Sequence, residues 1–495
     1  MYCKYLQRTY YICIELKNIS LTLKRRFLSN LTLLIILNLL IKPFWFFGIE
    51  VGVQNQVGEE MYGFYFSLFN FAFILNILLD LGINNFNNRA VARDSSVLKD
   101  HLAAIVPLKL GLSLVYALIV FIAGKLVGYS EEQMALLRVL VVNQFLASFI
   151  LYFRTNISGL QYYRTDSLLS VMDRALMILF TGLLLWGNLT SKPFQISWFV
   201  YAQTLSYTLT LLTVAAIVRY RSGRFIHKIN FKRSVEILRL SYPFALLILL
   251  MSLFNRVDSV MLERLLENGK ETAGIYAQSF RIYDAASQFS FLFSILLLPM
   301  FSRMLRAKED VNILVRSAFP ILMSAGLSAA LCSIFYREEI LGLLYHNYSA
   351  DSAIIFSILM VGYVFLSTSY IYGTLLTANN NLKQLNILAG TTVVLNITLN
   401  LILIPRFQGV GAAISSLASQ SYYAIVQMIL VRKIIRLSWN TDILIRIAGF
   451  LALNLLTAWL TGFIPTWWIG LSILAASCVL SAFLLGLLKI GRIVG

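Results

Sequence analysis

Ionisable side chains inside long apolar segments are the residues of this sequence most able to do chemistry. A charge near the centre of a bilayer costs roughly 2.5–3.5 kcal/mol, so such residues usually face protein or a water-filled cavity. The basic candidates are Arg256, Lys42, Lys109, Arg154, Arg174 and Arg281, and the acidic candidates for a coupling site or counter-ion are Asp258 and Asp284. Cations in a wet cavity predict an anionic ligand.

Two of these cations occupy related positions. Lys42, which precedes Pro43, and Arg256 lie at similar heights in the first and seventh apolar segments. We expect them to face a shared central cavity. For Lys42 the alternative is an ammonium group that reaches the membrane interface. For Arg256 it is an ion pair with Asp258 or Asp284.

The other polar candidates have structural alternatives as well. Arg281 and Asp284 are placed i and i+3 on one helix face, so an ion pair between them is expected. Asp166 and Asp173 are available to neutralise neighbouring arginines. Asn396 and Asn400 share one face of a helix and are candidates for contact with sugar hydroxyls, although packing between helices is the favoured interpretation.

The elements that must position these residues are membrane-spanning helices. The chain has 495 residues, 59% hydrophobic and only 13% charged, and a mean hydropathy of +0.76, which is typical of a polytopic membrane protein. Because a span needs roughly 20 apolar residues, the sequence predicts an all-α protein with about fourteen transmembrane helices, at 27–49, 62–82, 103–124, 135–156, 167–187, 195–218, 240–262, 278–301, 313–335, 353–375, 384–405, 410–431, 443–461 and 467–489. The weakest division lies within 135–187, where twelve or thirteen spans in total remain an alternative.

The net charge of +18 lies in alternate connections, of which 219–239 is the richest in Lys and Arg, whereas 50–61 has neither. This pattern follows the positive-inside rule, predicts cytoplasmic termini and does not indicate nucleic acid. Residues 1–26 are expected to form a basic tail rather than a signal peptide, because they lack a clear apolar core and cleavage site.

The chain is also internally repeated. The octet Gly58–Tyr65 resembles Gly269–Tyr276, and Pro107 is matched by Pro320 at a closely similar offset. Six spans per repeat keep both copies parallel, an arrangement found in transporters with a site between the halves. The predicted domains are a tail (1–26), an N-terminal lobe (27–218), a basic linker (219–239), a C-terminal lobe (240–431) and two additional helices with the C-terminus (432–495).

Several function classes are disfavoured. No phosphate-binding loop of the G-x-x-x-x-G-K-[ST] type is present, so ATP hydrolysis is not expected. No predicted outer connection exceeds about twenty residues, which argues against an enzyme with an external catalytic domain. The four cysteines and three histidines are scattered, so no metal site, disulfide framework or cofactor is predicted.

Longer segments carry a resemblance. The chain from about residue 20 to its end resembles the polysaccharide-biosynthesis (O-antigen or capsule flippase) family of the multidrug/oligosaccharidyl-lipid/polysaccharide exporter superfamily. The residues that carry the resemblance are GEEMYGFYFSLFNFAFILNILLDLGINNFNNRAVARD (58–94), SYPFALLILLMSLFNRVDSVML (241–262), AGIYAQSFRIYDAASQFSFLFSILLLPMFSR (273–303) and LLTANNNLKQLNILAGTTVVLNITLNLILIPRFQGVGAAISS (375–416).

The resemblance implies a V-shaped bundle of two six-helix lobes plus two C-terminal helices in a bacterial plasma membrane. It implies a flippase that carries undecaprenyl-diphosphate-linked oligosaccharide to the outer leaflet by alternating access, with membrane lipids and other polysaccharide-assembly membrane proteins as partners. A lipid II flippase, a multidrug exporter of the same superfamily and an integral-membrane polymerase are the alternatives. A drug exporter is disfavoured because its relatives typically rely on acidic residues in the lumen.

Overall fold

The computed structural model describes residue 37 and residues 40–187, 191–222, 231–437 and 441–488. The predicted tail and most of the first predicted span lie outside these residues. Within them a π-helix, Phe44–Glu50, leads into fourteen α-helices. These are α1 (Val51–Ile74), α2 (Ile83–Arg93), α3 (Leu98–Val127), α4 (Glu131–Gly159), α5 (Tyr163–Trp186), α6 (Ile196–Ser222), α7 (Phe231–Leu265), α8 (Gly269–Ala307), α9 (Asn312–Phe335), α10 (Arg337–Leu344), α11 (Ala350–Ala378), α12 (Leu382–Ile435), α13 (Thr441–Thr461) and α14 (Trp467–Leu484).

Apolar helices dominate the described part of the chain. Eleven of them are long and apolar enough to cross a membrane, and the described ranges contain no strand. The chain is therefore an all-α, multi-pass membrane protein, as the sequence predicted. The doubtful stretch 135–187 forms two helices, α4 and α5, which are separated by a turn at Gln161.

Two long helices contain corners. Gly58 interrupts α1 with φ +79° and ψ 173°, and Gln408 interrupts α12 with φ +49°. Each corner divides two spans without a loop. The prediction that 50–61 is a loop was therefore wrong, because a glycine at positive φ reverses the chain with no extra residues.

Two predicted connections contain short helices. The connection 83–102 holds α2 and a 3₁₀ turn at Ser95–Val97, and 336–352 holds α10. The side chains of Ile83 and Val91 in α2 are buried against the apolar cluster formed by α3, α4 and α6. These connections are therefore packed parts of the bundle.

The duplication is visible in local geometry. Ser130 and Ser349 both form capping boxes, at the starts of α4 and α11. Gln161 and Asn380 both adopt positive φ, 65° and 62°, after these helices. Each cap precedes its turn by the same number of residues, so equivalent features identify two parallel copies of a six-helix unit, as expected. The exact lobe boundaries stay predictions.

The connections alternate between two ends of the bundle. We call the end at which Gly58 and Gly269 lie the corner end, and the opposite end, with the Lys- and Arg-rich connections, the basic end. The additional helices α13 and α14 pack on the C-terminal copy, where Phe450 and Leu474 join Tyr336 in a buried cluster.

Candidate functional site

The two halves meet where α1 crosses α8 at the corner end. The crossing is made by Gly63 and Gly274, the second glycines of the repeated octets. A Cβ atom on Gly63 would lie 1.9 Å from the Lys270 carbonyl oxygen, and one on Gly274 would lie 2.0 Å from that of Glu59. The backbones are therefore in direct contact, and the repeated motif forms a pseudo-symmetric interface.

Polar contacts between the halves surround this crossing. The Gln54 side chain donates to the Gly274 carbonyl oxygen at 3.1 Å, and Gln278 donates to the Glu59 carboxylate at 3.1 Å. Sequence reasoning missed these glutamines. The repeated octet was the available signal, because both glutamines lie close to one of its copies in the chain.

Arg281 is buried at the same interface. Its guanidinium pairs with the Glu50 carboxylate at 3.0 Å and donates to the Tyr62 hydroxyl at 3.1 Å. The guanidinium also lies 5.1 Å from the centre of the Phe66 ring. The predicted pair between Arg281 and Asp284 was wrong, because Glu50, taken for a loop residue, is folded into this interface.

Arg256 joins the two halves closer to the membrane centre. It donates to the Asn70 side-chain oxygen at 2.8 Å and stacks 4.3 Å from the Phe73 ring, both in α1. It also contacts α8, where it pairs with Asp284 at 3.6 Å and lies 5.9 Å from the centre of the Phe280 ring. The predicted alternative partner, Asp284, is therefore confirmed, and 14% of the Arg256 side chain remains exposed.

A second group of cations belongs to the N-terminal half. Arg154 pairs with Asp166 at 2.8 Å, and Arg174 pairs with Asp173 at 3.9 Å, so both predicted neutralising carboxylates are used. Lys42 is exposed and within electrostatic range of Arg154, Arg174 and Asp173. Arg174 is also within electrostatic range of Glu50, the partner of Arg281, so these four cations lie near three carboxylates and a local positive charge remains.

Lys109 does not belong to this group. Its side chain is fully buried and donates to the Leu79 carbonyl oxygen at 2.7 Å and to the Ser148 hydroxyl at 2.9 Å, with Asp80 at 3.5 Å. Leu79 ends a 3₁₀ turn, and its carbonyl needs a donor. Lys109, one of the candidate cations, therefore caps a helix end and is enclosed by protein.

Asp258 lies inside the C-terminal half. It is fully buried and accepts hydrogen bonds from Asn400 at 2.7 Å, Asn396 at 3.2 Å and Tyr276 at 3.1 Å. No Lys, Arg or His of the described ranges pairs with it. Asn396 and Asn400 are themselves fully buried, so this arrangement holds them on a carboxylate and does not present them to a sugar.

The corner end holds one more polar contact between the halves. Glu263 of α7 is buried and accepts from Gln133 of α4 at 2.7 Å. The next residue, Arg264, lies 2.5 Å from Glu263 and donates to the Gly128 carbonyl oxygen at 3.2 Å. Sequence reasoning did not single these residues out, because they lie at predicted span ends, where charges are common.

Comparisons with known proteins agree with this architecture. Residues 27–305 match the family model described as "Polysaccharide biosynthesis protein". A curated relative, "Capsular polysaccharide biosynthesis protein CapF" of Staphylococcus aureus, is 26% identical over 216 residues, or 41% of this chain. The match spans only about half, 53%, of that relative's length.

Solved structures share the fold at low identity. "Lipid II flippase MurJ, inward closed conformation" aligns with a TM-score of 0.73 and 14% identity, over 92% of this chain and 98% of that one. An inward-facing "multidrug resistance MATE family transporter of the MOP superfamily" aligns with a TM-score of 0.61 and 17% identity, over 80% and 97%. The family match covers more than half of the chain, and we conclude that the protein is a member of the polysaccharide biosynthesis protein family with a transporter-type fold of two repeated helical lobes.

Proposed function

We propose that this protein is a flippase for a diphosphate-linked lipid oligosaccharide, with undecaprenyl-diphosphate-linked repeat units of O-antigen, capsule or exopolysaccharide as its substrate class. Its basic end and both termini face the cytoplasm of a bacterial plasma membrane, and its corner end faces outward. The substrate moves from the inner to the outer leaflet by alternating access between the lobes, without any reaction on the substrate.

One observation carries the proposal: Arg256 is held at the junction of the two halves. Its partners Asn70 and Phe73 belong to one half and Asp284 to the other. A cation in this position would contact the substrate while the lobes rearrange around it. A guanidinium group suits a phosphate because its planar set of donors binds two oxygens at once.

The local positive charge around Lys42 and Arg174 supports the same substrate class. Arg174 is 35% exposed and lies 5.2 Å from the Trp45 ring. An aromatic ring beside a cation suits a ligand that combines phosphate with sugar. The polyprenyl tail needs no polar site and stays in lipid.

The family and the curated relative favour polysaccharide precursors as cargo. A lipid II flippase is the second candidate, because the MurJ fold aligns over nearly the whole chain. Both cargoes carry a diphosphate on a polyprenyl chain, so the same cations serve either. A drug exporter fits less well, since Arg256, Lys42 and Arg174 offer positive charge to the ligand. A polymerase lacks support from the family.

The test is complementation in a strain that lacks this gene. Wild type should restore surface polysaccharide. Arg256→Ala should reach the membrane at normal abundance yet leave lipid-linked sugar on the inner leaflet. Arg256→Lys should restore part of the polysaccharide display, because lysine keeps the positive charge but lacks the planar set of guanidinium donors. The matched control is Arg337→Ala, since Arg337 is an exposed arginine, 3.9 Å from Glu338.

Two results would contradict the proposal. If wild type restores no polysaccharide but rescues a strain depleted of its lipid II flippase, the second candidate is correct. If Arg256→Ala matches wild type at equal abundance, Arg256 does not bind the substrate.

A further inference from the structure

A cleft at the basic end of the N-terminal copy lies away from the junction of the two halves. It opens between the end of α4, the start of α5 and the end of α6, with a volume of about 420 Å³. Its apolar floor consists of Ile157, Leu160, Ile217 and Val218, which belong to the cluster formed by α3, α4 and α6 or pack against it. The cleft is large enough for part of a small amphiphile, and no cation of the proposed transport site lines it.

One wall of the cleft holds an arginine over an aromatic ring. The Arg221 guanidinium carbon lies 4.5 Å from the centre of the Tyr162 ring, which immediately precedes α5, and 5.7 Å from that of Tyr220. No carboxylate of the described ranges pairs with Arg221. Because a ring attracts a cation without neutralising its charge, Arg221 is held across two helices and keeps its positive charge for a ligand. The hydroxyl-bearing side chain of Thr165 lines the same cleft.

The segments that flank the cleft carry uncompensated positive charge. Arg164, in the first turn of α5, and Arg219, in the last turn of α6, are both exposed, and neither forms an ion pair within the described part of the chain. The carboxylate in the first turn of α5, Asp166, is already paired with Arg154 at 2.8 Å. Since Arg221 is the last but one residue of α6, the cleft lies where the hydrocarbon layer gives way to water. It is therefore complementary to a ligand with an apolar chain and an anionic head group.

We propose that this cleft binds an anionic phospholipid of the surrounding membrane. One acyl chain lies against the apolar floor, and the phosphate of the head group accepts hydrogen bonds from the Arg221 guanidinium. Basic pockets between transmembrane helices bind anionic head groups, and a guanidinium group donates to two phosphate oxygens at once. The bound lipid joins the turn between α4 and α5 to the end of α6, the helix from which the chain continues to the C-terminal copy.

The test is lipid binding by the purified full-length protein, measured by native mass spectrometry with phosphatidylglycerol and with phosphatidylethanolamine, which share a phosphate but differ in net charge. Wild type should prefer phosphatidylglycerol. Arg221→Gln should weaken that binding at least about tenfold, the effect expected for the loss of one charge-assisted hydrogen bond. The matched control is Arg306→Gln, which removes an exposed arginine from the last turn of α8, at the same end but outside the cleft.

A second variant tests the cleft without changing its charge. Ala216 is an exposed residue of the wall, so Ala216→Phe fills the space of the acyl chain and should also weaken the binding of phosphatidylglycerol. Undiminished binding by Ala216→Phe would overturn the proposal, as would equal binding by Arg221→Gln and its control, or equal binding of the two lipids by wild type. Displacement of phosphatidylglycerol from wild type by an equal concentration of lipid-linked diphosphate oligosaccharide would overturn it as well, because the cleft would then be a substrate site.

Discussion

Gly63 and Gly274 hold the two halves of the protein together through backbone contact. A Cβ atom on Gly63 would lie 2.5 Å from the Gly274 nitrogen, and a Cβ atom on either glycine would lie within 2.0 Å of a carbonyl oxygen of the other helix. The two residues occupy the same position in the repeated octets. This symmetric crossing closes the corner end.

Replacing Gly63 with leucine should open this crossing. The added side chain cannot fit against the backbone of α8, and overpacking of this kind costs about 1–3 kcal/mol. Gln278 is buried beside the crossing, so in a cysteine-free background a Gln278→Cys reporter should change from protected to labelled by a membrane-impermeant thiol reagent. Gly111→Leu is the control, because nothing lies within 4 Å of a Cβ there. Equally low labelling in both variants would refute this role of the crossing.

Glu50→Gln should destabilise the protein strongly. The change leaves the Arg281 guanidinium buried without its counter-ion, and breaking a buried ion pair in this way costs about 3–5 kcal/mol. Thermal unfolding in detergent measures the loss. Glu338→Gln provides the comparison, since its pair with Arg337 is exposed and should contribute no more than about 1 kcal/mol. Similar melting temperatures for the two variants would contradict the structural role of Glu50.

Lys109→Met should lower stability without impairing transport by the molecules that fold. The variant removes the ammonium donor to the Leu79 carbonyl oxygen and to the Ser148 hydroxyl, and leaves Leu79 only the hydrogen bond from Ser148, at a cost of about 1–3 kcal/mol. The measurement is thermal unfolding together with polysaccharide display normalised to folded protein. An unchanged melting temperature combined with reduced polysaccharide display would instead indicate that Lys109 takes part in substrate transport.

Asp258→Asn should stop transport while preserving the fold, if this carboxylate exchanges a proton or a cation during the cycle. Its donors Asn396, Asn400 and Tyr276 are neutral, so the charge of Asp258 has no fixed counter-ion among the described residues. Glu338→Gln is the control, because that exposed carboxylate pairs with Arg337 and its charge can be removed at little cost. Transport by Asp258→Asn that keeps the ion and pH dependence of wild type would exclude a coupling role.

The sequence by itself determined the membrane class, the approximate spans and the duplication. Every backbone group inside the hydrocarbon must be hydrogen-bonded, and a helix does this within a single apolar segment, so apolar runs of about 20 residues locate the spans. The repeated octet and the matched prolines revealed two copies, because a duplicated chain keeps similar residues at a nearly constant offset. Arg256 and its partner Asp284 were also foreseen, since both are charges at bilayer depth.

The partners of the charged residues were decided only by the tertiary structure. Lys109 and Arg256 look alike in sequence, yet one caps a helix end inside the N-terminal half and the other joins the two halves. Glu50 pairs with Arg281, which belongs to the other half of the chain. Such pairs depend on how α1 and α8 cross, and that crossing is set by the absence of two Cβ atoms, a property of the packed helices that composition and periodicity do not encode.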